Sequence, residues 1–341
     1  MSEKILSIED LYFSFETYAG EVQAVRGVNI ALEKGESLGI VGESGCGKSV
    51  TAKSIIKLNP AGNGIYKSGK IVFDGKDVLA MSRNELLRLR AKDIRMVFQD
   101  PMTSLNPTMK VGAQIMEGIL NAFPKMNKEE AKQRAIQTLK DVGIPNAEQR
   151  FGQYPHQFSG GMRQRAMIAM ALSVQPKVLI CDEPTTALDV TLQAQILDLI
   201  ADLQTKYDTA IIFITHDLGV VANISQNIAV MYAGKVIEYG SARDIFYHCK
   251  HPYTWGLLQS VPLPDADMSQ PLAPIPGSPP DLFNPPKGCP FAARCPYAMD
   301  VCVKHAPPCY KTGEKHTVEC WLYHPDAVKV TNPITNEEAT L

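Results

Sequence analysis

The eight residues Gly42-Glu43-Ser44-Gly45-Cys46-Gly47-Lys48-Ser49 constrain this chain more than any other part of it. They fit the pattern GxxxxGK[ST], directly after the apolar run SLGIV at 37–41 and ahead of a segment that reads as a helix. Glycines at 42, 45 and 47 let the backbone curl so that successive N–H groups, those of Ser44 and Cys46 among them, point at phosphate oxygens at the positive end of a helix. Lys48 is placed to reach the β- and γ-phosphates of a nucleotide, and the Ser49 hydroxyl to ligate Mg²⁺. The bland alternative is a glycine-rich turn, against which the strand–loop–helix context argues.

The chain around this loop reads as α/β. The runs VLIC at 178–181 and AIIFIT at 210–215 look like further buried strands, and 129–142 and 193–204 look like helices. Strands alternating with helices imply a largely parallel sheet with helices on its faces, whose ligands sit at the carboxyl ends of the strands. One such end carries Asp182 and Glu183. Asp182 suits the Mg²⁺ shell, and Glu183 suits positioning and deprotonating an attacking water. By itself the pair would pass as a solvated strand end; beside a phosphate loop the chemical reading wins.

Charge and composition remove other classes. With 34 basic and 36 acidic residues the net charge is −2, which disfavours a protein that coats nucleic acid. At 341 residues about two domains are expected, at roughly 150 residues each. There is no run of about 18 apolar residues, and the start MSEKILSIED has no apolar leader, so residence in the cytoplasm is expected. Internal repeats and coiled-coil heptads are not visible.

Proline and cysteine mark a boundary near residue 260. Residues 262–325 hold 14 of the 24 prolines, and Cys289, Cys295, Cys302, Cys309 and Cys320 follow one another there, whereas Cys46, Cys181 and Cys249 are scattered. Such a module has little core of its own and needs a staple, cored apart from the phosphate loop. Disulfides are unexpected in a cytosolic chain. The spacing Cys289-x5-Cys295-x6-Cys302-x17-Cys320 lacks the CxxC knuckle of most zinc sites, and four thiolates serve zinc or an iron–sulfur cluster equally by ligand type.

Further segments carry a resemblance. Phe158-Ser159-Gly160-Gly161-Met162 resembles the LSGGQ signature of ABC transporter ATPases, with Phe158 for Leu and Met162 for Gln. Gln99 in MVFQDP resembles their Q-loop glutamine, Ala187-Leu188-Asp189 their D-loop, and His216 after AIIFIT their switch histidine. The tail PLPDADMSQPLAPIPGSPPDLFNPPKGCPFAARCPYAMDVC at 262–302, with YPHQFSGGMRQRAMIAMAL and DEPTTALDVTLQAQIL, is similar to the dipeptide and oligopeptide importer ATPases along essentially the whole chain.

The resemblance implies a P-loop NTPase core of the ABC ATPase kind at 1–98 and 176–259, a helical signature subdomain at 99–175, and a Cys/Pro-rich, metal-binding extension at 260–341. It implies ATP and Mg²⁺ as ligands. Two such ATPases pair head to tail, the signature of one (Ser159, Gly160, Gly161, with Asp189 nearby) capping the nucleotide on the other's phosphate loop. Gln99 then senses the metal, His216 contacts the γ-phosphate, and an upstream aromatic stacks on adenine, Phe15 first and Tyr18 second. In the tail the resemblance implies a [4Fe–4S] cluster on Cys289, Cys295, Cys302 and Cys320, zinc being the alternative, with Cys309 a spare thiol. Implied partners are two permease subunits, a homologous second ATPase and an extracellular peptide-binding protein, with no nucleic acid, at the cytoplasmic face of the membrane. Other cargo, such as nickel or a glycoside, and a soluble role on ribosomes or DNA are the competing functions.

Overall fold

The computed structural model describes residues 3–100, 104–185, 189–260 and 274–339. Its main elements in chain order begin with β1 (Lys4–Thr17), β2 (Gly20–Glu33), β3 (Ser37–Val41), α1 (Lys48–Ile55), β4 (Gly64–Phe73) and β5 (Ile94–Val97). Then come α2 (Val111–Ala122), α3 (Lys128–Asp141), α4 (Gly160–Leu172), β6 (Val178–Asp182), α5 (Val190–Tyr207) and β7 (Ala210–Thr215). The chain ends with α6 (Leu218–Ile224), β8 (Asn227–Tyr232), β9 (Lys235–Ser241), α7 (Ala242–Tyr247), α8 (Pro252–Gln259), β10 (Tyr310–Lys311) and β11 (Thr317–Val318). Two compact units divide these elements.

The first unit comprises Met1–Ile5, Leu32–Ser37 and Asp74–Ile214. Its β5, β6 and β7 run parallel, with Cys181 of β6 opposite Val97 and Phe213. Every residue of β6 and β7 is buried, as expected of parallel strands covered on both faces, and this is why they read as unbroken apolar runs. Helices α2, α3 and α4 pack on one another. Helix α2 buries Val111, Ile115 and Ile119, and α3 buries Ala131, Ala135 and Leu139, each a stripe at helical spacing. Asn127 and Glu130 start α3 with a reciprocal capping box.

The second unit comprises Leu6–Ala31, Leu38–Phe73 and Thr215–Leu341. Here β8 lies between β3, its parallel neighbour, and β9, its antiparallel one, and β11 then β10 extend the ladder beyond β9. Separately, β1 pairs antiparallel with β4, and its register shifts on either side of Tyr12.

The cysteine-rich tail is not cored apart from the phosphate loop. Val41, at the end of β3, belongs to one buried cluster with Val230, Tyr232, Tyr253, Cys289, Phe291 and Cys302. The expectation of a separate core fails because 66 described residues cannot enclose enough apolar surface alone and so borrow the face of β8 and α8. A buried carboxylate fastens the join. Glu238 of β9 accepts from the backbone N–H groups of Lys250 and His251 and from Thr254 Oγ1, and faces His316 Nε2 of the tail at 2.9 Å.

His251 caps α8 through Nδ1, which accepts the Tyr253 N–H at 3.0 Å. Its ring is fully buried, and its Nε2 has no hydrogen-bond partner among the described residues. Burial lowers its pKa to about 3. Because the folded value lies below the unfolded one, the stabilisation is complete above about pH 6.5 and is lost as the pH falls towards 3. Relative to pH 8, the wild type should lose about 2 kcal/mol at pH 5 through this group. His251→Asn, which keeps a capping side chain and cannot titrate, should lack that increment in denaturant unfolding at the two pH values. Equal slopes for both proteins would show that His251 does not carry it.

Candidate functional site

The phosphate-loop motif lies wholly in the second unit. Its strand β3 is buried along its length, and α1 begins at Lys48 with no side-chain cap. Two of the loop glycines are fixed by close approach. A Cβ on Gly42 would stand 2.1 Å from the Met231 carbonyl oxygen, and one on Gly47 2.4 Å from that of Ala24. Both have positive φ, as does Gly45, but a Cβ there would meet nothing within 4 Å. Open space at Gly45 and tight backbone at its flanks are what a loop needs to face a ligand while anchored from behind.

Hydrogen bonds hold this curl. Gly234 N–H donates to the Cys46 carbonyl at 2.9 Å, and Arg26 N–H donates to the Gly234 carbonyl at 2.8 Å. The Lys48 ammonium donates to the carbonyls of Gly42 and Glu43 at 2.7 and 3.0 Å. The Glu43 N–H donates to Tyr253 Oη at 2.9 Å, and the Glu43 carboxylate takes a two-pronged ion pair from Arg294 of the tail. Lys48 is buried, so its charge is focused on the loop rather than spent on solvent. Sequence reading marked the loop and Lys48; it gave no sign of the contacts of Glu43 with Tyr253 and Arg294, which join across the chain only in the fold.

His216, also in the second unit, is exposed just after β7, ahead of Asp217, which caps α6 by accepting from Gly219 and Val220. Phe15 is half-buried, its ring edge-on to Phe13 at 5.0 Å, while Tyr18 is fully exposed.

The acidic strand end and the signature lie in the first unit. Asp182 is buried at the last position of β6. Glu183 then leaves the strand with φ 48°, and its N–H donates to the Ile214 carbonyl at 2.9 Å. A residue in the left-handed region breaks the strand's alternation at this point. Gln99 Nε2 donates to Glu183 Oε2 at 2.9 Å, so the structure brings these two expected residues together. Ser159 is the N-cap of α4, its hydroxyl accepting from Met162 N–H at 3.3 Å, and Gly160 has open space around its Cα. Gly161 sits against Leu192 of α5. The buried Gln164, which follows the signature and was given no role of its own, donates to the carbonyl of Pro184, tying the signature helix to the residue after Glu183. Asp189 caps α5 by accepting from Leu192 N–H at 2.8 Å. Ala187 and Leu188 lie outside the described residues.

The tail gathers four thiols. Cys289, Cys302 and Cys320 are buried, Cys295 is half-buried, and Cys320 interacts electrostatically with the other three. Each sulfur receives a backbone N–H: Cys289 from Phe291 and Ala292, Cys295 from Tyr297, Cys302 from Met299, and Cys320 from Leu322. Burial pushes the pKa of Cys289 up to about 12 and that of Cys295 to about 11, and holds that of Cys320 well above the ordinary thiol value. Cys309 is exposed and outside this group. Among the described residues no three His, Cys, Asp or Glu side chains are set to hold a single metal ion.

Comparison with known proteins covers nearly the whole chain. Residues 25–186 match the ABC transporter family, and residues 237–302 match the oligopeptide/dipeptide transporter C-terminal region. The oligopeptide transport ATP-binding protein OppD of Bacillus subtilis is 58% identical over 97% of this chain and 92% of its own length. The dipeptide transport ATP-binding protein DppD of the same organism is 55% identical over 94% of this chain and 95% of its own. Among solved structures, the ATP-binding cassette MJ0796, a dimer in a post-hydrolysis state with ADP and phosphate, matches with a TM-score of 0.63 at 26% identity. That match spans 70% of this chain and 99% of the cassette, which establishes the ABC ATPase fold.

The glycine geometry makes a stability prediction. Gly42→Ala and Gly47→Ala force a Cβ into carbonyl oxygens as well as an unfavourable φ, and should each cost about 3 kcal/mol or more. Gly45→Ala carries the φ penalty alone and should cost about 1–2 kcal/mol. Urea unfolding of the three variants checks this; equal losses would mean that close approach does not shape the loop.

Proposed function

The chain belongs to the ABC transporter family, and from that premise we propose that it is the ATP-hydrolysing subunit of an importer of oligopeptides or dipeptides. One observation carries the reading: the match to a peptide-transport ATPase, 58% identical overall, extends over 97% of the chain, so that it takes in both the ATPase motifs and the cysteine tail. Among the described residues no helix is long and apolar enough to cross a membrane, so attachment would be peripheral, through two permease subunits on the cytoplasmic face. An extracellular binding protein would deliver the peptide. A homologous second ATPase would pair head to tail with this one, as the dimeric cassette relative supports.

The residue roles follow from chemistry. The loop amides, Ser44 and Cys46 among them, would cradle the phosphates, with Lys48 neutralising the γ-phosphate. Ser49, Asp182 and Gln99 would complete the Mg²⁺ shell. Glu183 would accept a proton from water as its oxygen bonds to the γ-phosphorus and the bond to ADP breaks. The Gln99–Glu183 hydrogen bond supports a shared task, since it aims the base before the water arrives. His216 would hold the γ-phosphate oxygens, and Phe15 would meet the adenine. Ser159, Gly160, Gly161 and Asp189 would serve the partner's nucleotide. The ATPase domain would occupy 1–259, with the helical part at 99–175, and the extension 260–341.

The thiols of Cys289, Cys295, Cys302 and Cys320 would hold the [4Fe–4S] cluster that the resemblance implies, with zinc the alternative. A tetrahedral zinc at about 2.3 Å from sulfur needs its ligands nearly touching, whereas a cubane spreads them over four irons. Backbone N–H groups reach all four sulfurs, which suits thiolate ligands of either group. Bound there, the cluster would supply positive charge to four buried sulfurs and cross-link a module short of core.

Glu183→Gln should keep nucleotide binding and lower phosphate release at least 100-fold in the assembled transporter, as loss of a general base does. Lys48→Ala should instead weaken binding itself, read with a fluorescent ATP analogue. Wild-type turnover by Glu183→Gln would remove Glu183 as the base. Anaerobically purified protein should contain about four irons per chain and be brown. Serine at any of the four cysteines should bleach it, and serine at Cys309 should not. One zinc and no iron would overturn the cluster.

A further inference from the structure

Arg294 lies in a short helical turn, Ala292–Arg294, between Cys289 and Cys295, yet its side chain reaches into the phosphate loop. Its Nη1 and Nη2 meet Glu43 Oε2 and Oε1 at 2.7 and 3.0 Å, a bidentate pair. The other donors are also spoken for: Nε to the Pro276 carbonyl at 2.8 Å, Nη2 to that of Ile275 at 3.2 Å, and Nη1 to Tyr232 Oη at 3.2 Å. The side chain is only 5% exposed. A guanidinium with every arm engaged and little solvent around it holds its partner in one place.

Glu43 is the second residue of the loop, so fixing its carboxylate fixes the start of the curl. The same residue is held through its N–H by Tyr253 and through its carbonyl by Lys48. A second brace comes from the tail: Arg26, whose N–H supports the Gly234 turn behind Cys46, donates through Nη2 to the Pro286 carbonyl at 3.1 Å.

We propose that Arg294 is a positioning residue for the phosphate loop, acting through Glu43, so that the cysteine module of this chain sets its affinity for nucleotide. The proposal rests on the reading that residues 42–49 bind the phosphates of ATP. Arg294 itself does not touch the nucleotide. Its loss lets the loop amides drift, and misplacing binding groups by a fraction of an ångström costs on the order of ten-fold.

The test uses the full-length chain and a fluorescent ATP analogue with Mg²⁺, with kcat and KM for ATP measured in the assembled transporter. Arg294→Gln and Glu43→Gln should each raise the dissociation constant and KM about ten-fold with a smaller change in kcat. The double variant should be no worse than the poorer single, because both remove one interaction. Arg294→Lys, which keeps the charge and loses the fork, should recover part of the affinity. Module integrity is followed by the reactivity of the buried thiols towards a thiol reagent. An affinity within two-fold of wild type in Arg294→Gln, while Lys48→Ala binds weakly, would overturn the proposal and leave the loop assignment standing. Loss of affinity only in step with exposure of the buried thiols would also overturn it, as a purely structural effect. Wild-type affinity in Lys48→Ala would overturn the loop assignment and the proposal with it.

Discussion

A loop bent by glycines with positive φ at 42, 45 and 47 cannot hold itself by ordinary secondary structure, and the second unit is arranged around that constraint. Three glycines in the left-handed or extended-positive region make the curl sterically possible, but they also make it floppy in the unfolded chain. The restraint comes from outside the loop. Neutral hydrogen bonds such as Gly234 to Cys46 contribute about 1 kcal/mol each, whereas a charge-assisted pair such as Arg294 to Glu43 contributes about 1.5–3 kcal/mol. The stronger restraint therefore comes from a residue 251 positions away in sequence. Breaking that pair would also leave a charged group with little water around it, which costs more than the pair itself contributes.

The tail's dependence on the rest of the unit has the same origin. Rich in proline and poor in regular structure, it cannot fold on propensity. It docks through Cys289, Phe291 and Cys302 on the cluster below β8, adds β11 to the edge of β9, and lays His316 against Glu238. Glu238 is the sharpest of these joins, because a buried carboxylate tolerates its burial only when each oxygen is satisfied. Here both oxygens are met, by groups from α8, the turn before it and the tail. Composition marked a boundary near residue 260, but the core runs straight across it.

What the sequence showed depended on how local the signal was. Strands 37–41 and 210–215 stand in the structure with the bounds read from their apolar runs, and 178–181 gains one residue, because a parallel strand buried on both faces cannot hide. The long strands β1, β2 and β4 escaped notice. They are exposed on one face, and the register of β1 slips around Tyr12, which breaks the alternation a reader would look for. The loop, the acidic pair and the signature were legible because each is a contiguous string. Arg294–Glu43, Tyr253–Glu43 and Gln164–Pro184 were not, since each joins residues 20 to 251 positions apart by side chains with no motif of their own.

Glu183 shows how a position can depart from local preference. A non-glycine residue in the left-handed region costs about 1–2 kcal/mol, and a glycine or asparagine would sit there more easily. The backbone N–H bond to Ile214, the side-chain bond from Gln99 and the Gln164 bond to the next carbonyl together offset that cost. A relaxed extended residue would continue the alternation of β6 and send the carboxylate to the face opposite Asp182. The left-handed turn thus parts the two neighbouring acids, Asp182 drawn back into the core and Glu183 bonded to Gln99.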